Sequence, residues 1–439
     1  MNISRRGFVA GLACAFAGPV WAAEFQVITA KVGALQLLEA GSATTPAWRF
    51  DSPVIKARQG EELKLRIVNE LAIEIWLHFF GVRGPSDAMT VNVPQGASAD
   101  CVFTPPDAGT FWLGPMANTS KLRDMGLYAM LMVQEREALA DIVDQPVIID
   151  DWKLYDTGAA QDDFGDVGAM MEGGRLGNWF TVNGAYRPSI ALSSRLFTRL
   201  RLLNVANVRN FGVLFKGADP LLIALDGQPL RPRPLGRDAL VLAPGQRADF
   251  LVAPDQDMAL TIDLFEEVSE IAYLVRADQT ATPELADNFT LPANPVTAVP
   301  GVMTARLVPV VLDGGIKGTL RSALYRGEAL DMRALLEKGV GWAINGVVGP
   351  GGPPLVQAKL GEIIAFEIEN RTGFNLPLHL HGHVWRTETS ENWSDTAVIP
   401  ARQKLKLIMV ADNPGDWAIN SLAAEWADGG LVAGFTVSP

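Results

Sequence analysis

From Glu24 to its last residues the chain repeats one grammar: short runs of alternating apolar and polar residues, each closed by glycine or proline. LKLRIVNEL alternates from Leu63, VNVPQGASADCVFTPPDAGTFWLG reads as strand, turn, strand from Val91, and GLYAMLMV closes the unit from Gly126. Side chains alternate between the two faces of a strand, so runs of this kind bury one face each and must stack sheet on sheet. The same order returns with PVIIDDWKLY, WFTVNG, TRLRLLNVANVRNFGVLF and LVLAPGQRADFLV. It returns again with WAINGV, EIIAFEIENRT, KLKLIMVADNPGDWAIN and GLVAGFTVSP. VNG at Val182 and ING at Ile344 mark an internal repeat. With 439 residues, more than one ordinary domain holds, the reading is all-β: three consecutive β-sandwiches at 23–138, 139–277 and 302–439. A proline-rich linker joins the last two at 278–301. GEALDMRALLEKG, from Gly327, is the one short helix expected, and the polar loop Gln161–Asn178 is expected at the surface.

The first 22 residues read differently. Paired Arg5 and Arg6 precede the mild apolar run VAGLACAFAG and a small-residue exit at VWAA, the pattern of a twin-arginine export signal. That implies recognition by the Tat export machinery and a periplasmic destination. Cys14 leaves with the leader, so Cys101 stands alone and no internal disulfide can form. Cys101 is expected as a packed small residue on the middle strand of its unit. No later apolar run approaches the roughly 18 residues of a membrane span. The formal charge of −12 becomes more negative still once two arginines are removed, which disfavours nucleic acid as a partner.

Three of the four histidines, His379, His381 and His383, stand at alternate positions in NLPLHLHGH. On an extended segment they share a face, and three imidazoles with an open position suit copper or zinc. The fourth, His78, lies in IEIWLHFFG. The competing reading is that the histidines only cap an antiparallel strand.

TPPDAGTFW, GLYAMLMV, ALDGQPL, LAPGQRADFLV, LHLHGH and DNPGDWAIN, in that order, resemble the multicopper oxidase family. The resemblance covers nearly the whole mature chain and implies three cupredoxin-like domains. It also implies that His78 and the stretch from Leu376 to His381 face each other across a domain interface. The family's copper ligands fall, by motif, on positions that mostly hold other residues. The first motif gives His78 and Phe80; the second, Gly114 and Met116; the third, Leu376, His379 and His381; the fourth, Asn420, Ser421, Leu422 and Trp426, with Leu431 in the axial place. A blue copper needs a cysteine thiolate and two imidazoles, which Ser421, Leu376 and Trp426 do not offer.

The resemblance therefore implies a degenerate oxidase that has lost its mononuclear copper and most ligands of its copper cluster. No catalytic residue is assigned. One expectation is a copper-free scaffold without enzymatic activity, similar to the twin-arginine-exported, copper-less members of the family that act in bacterial division, with periplasmic or division proteins as partners. The other is a single copper or zinc held by His78, His379 and His381, as a metal binder or an oxidoreductase; His383 matches no family ligand. A different enzyme using Asp124, Glu425 or Asp428 as general base has no nucleophile to support it, and these acids are expected to be solvated.

Overall fold

A computed structural model describes residues 24–39, 41–193, 195–253, 256–264, 267–277, 284–286, 288–299 and 304–439. The leader read at 1–22 and parts of the 278–301 linker lie outside the described residues. Six sheets pair into three sandwiches, and structure and expectation agree on an all-β fold. The first sets a four-stranded sheet (Thr45–Phe50, Gln26–Leu35, Leu63–Asn69, Ser98–Phe103) on a five-stranded one (Val54–Arg58, Ala129–Gln134, Gly109–Pro115, Ile75–Phe80, Thr90–Val93). The second pairs six strands with five, and the third eight with five. Each opens with the same parallel pair: Gln26–Leu35 beside Leu63–Asn69, Ile142–Trp152 beside Phe197–Asn204, and Arg306–Gly314 beside Ile363–Asn370.

The repeat hinted at in the sequence has a physical basis at two asparagine sets. Asn69, Asn204 and Asn370 each end the second strand of that parallel pair. Each Nδ2 donates to nearby carbonyls, and each Oδ1 accepts the N–H two residues on, from Leu71, Ala206 and Thr372. The amide replaces ladder bonds where the strand must stop. Asn183 and Asn345, the NG asparagines, take positive φ of 53° and 50° with a positive-φ glycine next, the turn that Asn-Gly favours between antiparallel strands. Their Oδ1 atoms accept from Ile148 and Val311.

The first and third sandwiches share one continuous core, running from Ile28 and Phe50 through Trp342 and Trp417 to Val437. The second keeps its own, around Leu202, Phe211 and Phe250. Where all three meet, Phe80, Trp112, Tyr128, Met130, Ile148, Leu203 and Leu422 form a separate apolar knot. The fused core presses His78 against the histidine stretch.

Several expectations change. The helix read at GEALDMRALLEKG is shorter, Met332–Glu337, with Glu328–Asp331 in a strand. Four other helices of one to two turns occur among the described residues, including Thr119–Asp124 and Ala424–Asp428; too short to show a 3.6-residue period, they left no pattern to read. The loop Gln161–Asn178 is not merely superficial. It carries a helix, Val167–Met171, whose Met170 is buried and whose Met170 carbonyl accepts from Trp342 Nε1 at 3.0 Å. The described part of the linker at 288–299 is a strap. Asn294 Nδ2 bonds to Ala108 O and Gly227 O, Pro295 O accepts from Arg83, and Thr297 donates to Asp412. Cys101 sits on an edge strand rather than the middle one, yet it is packed, and burial pushes its thiol up to about 12.

Candidate functional site

Strand pairing places the predicted positions together. His78 ends up opposite Gly114, and His379 opposite Asn420 with Leu378 opposite Ser421. His78 and His381 rings lie 4.3 Å apart and His379 and His381 4.8 Å apart, centroid to centroid. All three are buried. His383 is close in sequence but turned away, against Trp417 and Phe435, with Nδ1 on the carbonyl of His381.

The trio is wired by hydrogen bonds. Asn420 Nδ2 donates to Ser421 O, so its Oδ1 faces His381 Nε2 at 2.6 Å and must accept. His381 Nε2 therefore carries the proton, and its Nδ1 accepts from His78 Nε2 at 2.8 Å. His78 Nδ1 then accepts from the Thr90 hydroxyl at 2.8 Å. One directed chain, Thr90 to His78 to His381 to Asn420, satisfies every ring nitrogen of two histidines. His379 stands beside it. Its Nδ1 faces Thr396 Oγ1 at 3.1 Å and Asp395 Oδ1 at 3.2 Å, while its Nε2 is buried with no partner among the described residues.

Electrostatics keep His78, His381 and His383 neutral. Burial, then His381 and His379, holds His78 well below the ordinary imidazole range. Burial and His379 bring His381 down to about 3, and burial brings His383 down to about 4. Asp395 is anchored by Arg247, which also bonds to Thr110 O and Gly245 O and lies 3.2 Å from Asp226. Burial opposes ionisation of Asp395, but Arg247 and His379 outweigh it and hold the carboxyl well below its usual range.

The residues around the trio do not fit a copper cluster. Phe80 stacks on Trp112 at 4.2 Å and sits 5.0 to 5.7 Å from the three imidazoles. A Cβ added at Gly114 would lie 2.1 Å from the Trp112 ring, so that ring occupies the place of a side chain there. Leu422 and Met116 complete the wall. The blue-copper positions fit no better: Leu376 and Leu431 are fully buried, Trp426 packs on Trp342 and Phe374, and Ser421 Oγ accepts from Ala423 N–H. For one ion, tetrahedral ligands at zinc-like bond lengths stand about 3.3 Å apart. His78 Nε2 and His381 Nδ1 are at 2.8 Å and bonded to each other, so they would have to part. Among the described residues, no group of three or more His, Cys, Asp or Glu has metal-holding geometry.

Of the acids proposed as bases, Asp428 caps helix Thr119–Asp124 by accepting from the N–H groups of Thr119 and Ser120. Asp124 and Glu425 are buried on helices, not solvated in loops. No nucleophile is bonded to either. Trp112, Arg247, Asp395, Thr90 and Thr396 were missed by sequence reading. Trp112 and Arg247 stand in TPPDAGTFW and LAPGQRADFLV, motifs that signal the fold without assigning them a role, while Thr90, Asp395 and Thr396 lie in no marked motif.

Multicopper oxidase family models match residues 40–138, 144–266 and 328–439. The chain belongs to the multicopper oxidase family. Within that family it is 23% identical over 410 residues to Multicopper oxidase MmcO of Mycobacterium tuberculosis, covering 84% of this chain and 78% of that protein. It is 24% identical over 427 residues to Cell division protein FtsP of Escherichia coli, covering 89% and 84%. Its fold matches the crystal structure of a multi-copper oxidase from Pseudomonas thermotolerans with a TM-score of 0.79 and 26% identity, over 94% of this chain and 99% of that one. The family's cupredoxin-like domains are the three sandwiches described above.

Proposed function

We propose that this protein is a copper-free member of the family, exported to the periplasm by the twin-arginine route, that works through protein contacts rather than oxidation. The observation that carries this reading is the closed hydrogen-bond chain Thr90, His78, His381, Asn420. It uses the ring nitrogens that a metal would need. An ion would have to break those bonds and bring its charge against Phe80, Trp112 and Leu422, a costly desolvation. Loss of the blue copper is supported by Leu376, Ser421, Trp426 and Leu431, which supply neither thiolate nor imidazole. The similarity to proteins named for cell division supports a division-related partner.

One observation favours a second reading. The buried Nε2 of His379 has no hydrogen-bond partner among the described residues, and with rearranged His78 and His381 it would hold a single copper or zinc.

The test is metal content by mass spectrometry on protein from copper-supplemented cells, beside a His78→Ala, His379→Ala variant. The expected result is no stoichiometric metal in either. About one equivalent per chain, lost in the variant, would overturn the copper-free reading and establish the second.

A further inference from the structure

We propose that the junction of helix Thr119–Asp124, helix Ala424–Asp428 and the strand end at Asp150–Trp152 is a proton-operated clasp: protonated carboxyls hold the three units together, and their ionisation loosens the hold. This goes beyond the function proposed above and does not depend on it.

The geometry is specific. Each unit sends side chains into one buried spot: Arg123, Asp124 and Tyr128 from the first, Asp150, Asp151, Arg175, Asn207 and Arg209 from the second, and Glu425 from the third. Asn207 is the hub. Its Nδ2 donates to Ser120 O and to Glu425 Oε1, its Oδ1 accepts from Arg123, and its carbonyl accepts from Arg123 and from Ala424 N–H.

Cations are too few for the acids. Arg123 gives its hydrogen bonds to Asn207 and to the Leu422 carbonyl, not to a carboxylate. Arg209 pairs with Asp151, and Arg175 is shared by Asp124 and the half-exposed Asp163, which Lys153 also contacts. That leaves Asp150, which meets the Tyr128 hydroxyl, and Glu425, which meets Asn207, with no cation in contact among the described residues. Among the described residues, Glu425 Oε2 and Asp151 Oδ1 have no hydrogen-bond partner. A buried carboxylate without a cation is expensive, and the proton is the cheapest way to neutralise it.

The groups respond to one another accordingly. Burial pushes Glu425 up to about 7 against the pull of Arg123, with Asp428 adding to the rise. Burial takes Asp124 up to about 8 despite Arg175 and Arg123, with Asp151 and Glu425 as like charges. Asp150 is raised well above its ordinary value by burial, Asp151 and Asp124, and Asp151 is raised by burial against Arg209 and Arg175. All four folded values lie above unfolded ones. For Glu425 and Asp124 the contribution is complete at acid pH and is lost as pH rises from the ordinary carboxyl range through about 7 and about 8, and Asp150 and Asp151 act in the same direction. The two helices also line a small cavity with Phe80, Met116, Asn420 and Leu422, so loosening them uncovers apolar surface between the first and third units.

The experiment is hydrogen exchange on the full chain at about pH 6 and about pH 9, with amide rates corrected for intrinsic base catalysis. Peptides covering both helices are expected to lose protection by about tenfold or more at the higher pH, set by one or more groups titrating in between. An Asp150→Asn, Glu425→Gln variant, which copies the protonated shape at the two acids without a cation, should remove most of that loss. Equal protection at both pH values in the unaltered protein, or the same loss in the variant, overturns the clasp. Should the variant not fold, infrared difference spectra of the unaltered protein decide the matter. Protonated carboxyl bands present at the lower pH and gone at the higher support the proposal, and their absence refutes it.

Discussion

Replacing Arg247 with methionine would test how the histidine region is held. Arg247 is fully buried and spans all three units: Nε donates to Thr110 O of the first, Nη1 to Gly245 O of the second, and both terminal nitrogens clamp Asp395 of the third. Methionine fills much of the volume but leaves Asp395 and Asp226 facing each other without a cation. Removing one partner from a buried ion pair costs about 3–5 kcal/mol, far more than an exposed pair, and the unfolding midpoint should fall by roughly 6–12 °C or more on the usual conversion for domains of this size. Arg247→Lys keeps the charge but cannot reproduce the two-pronged clamp, so it should fall between. Adding Asp395→Asn to Arg247→Met should recover a large part of the loss, because the stranded charge is gone. Thermal and urea unfolding of the four proteins provide the readout. A cost under about 1 kcal/mol for Arg247→Met, the worth of a surface pair, would refute the claim that this cluster clamps the units.

Two further outcomes follow from the same interior. Trp112 fills the space beside Gly114 and stacks on Phe80; Trp112→Ala should cost about 3–5 kcal/mol and let water reach the imidazoles, seen as upward-shifted histidine titrations by NMR. On the acid side, His381 and His383 have folded values near 3 and 4, below the unfolded imidazole. Their contribution is present above about pH 6.5 and is lost as pH falls toward those values. The stability difference between the unaltered protein and His381→Gln should therefore shrink as pH falls from about 6.5 toward about 3; a difference that does not change with pH would show that the ring is not buried neutral. The buried carboxyls pull the other way over the same range, since their raised folded values make their contribution complete at acid pH, so the comparison with His381→Gln isolates the ring.

What the sequence determined by itself was the all-β fold, the threefold repetition and the identity of the residues at each ligand position. Strand alternation is a local property, and side chains at 63–71 or 362–372 declare their faces without help from distant chain. The NG turns are local in their backbone, and each strand-ending asparagine is half local: its Oδ1 accepts the N–H two residues on, while its Nδ2 reaches carbonyls of distant strands. The absence of cysteine and histidine near Ser421 is likewise a fact of composition, and chemistry does the rest.

Only the tertiary structure decided what the remaining side chains do. Asp124 and Glu425 looked like solvated charges because nothing in their neighbourhoods says otherwise; they are buried by surfaces more than two hundred residues apart meeting at Asn207. The same holds for the linker, which reads as a spacer until Asn294 finds Ala108 and Gly227. The sequence could place three histidines in one region, but whether their nitrogens face an ion or each other depends on distances of half an ångström. Those are set by how Phe80 and Trp112 pack when the cores of the first and third units fuse. Periodicity carries information about faces; pairing between faces is a matter of shape and charge across an interface, and it is written nowhere along the chain.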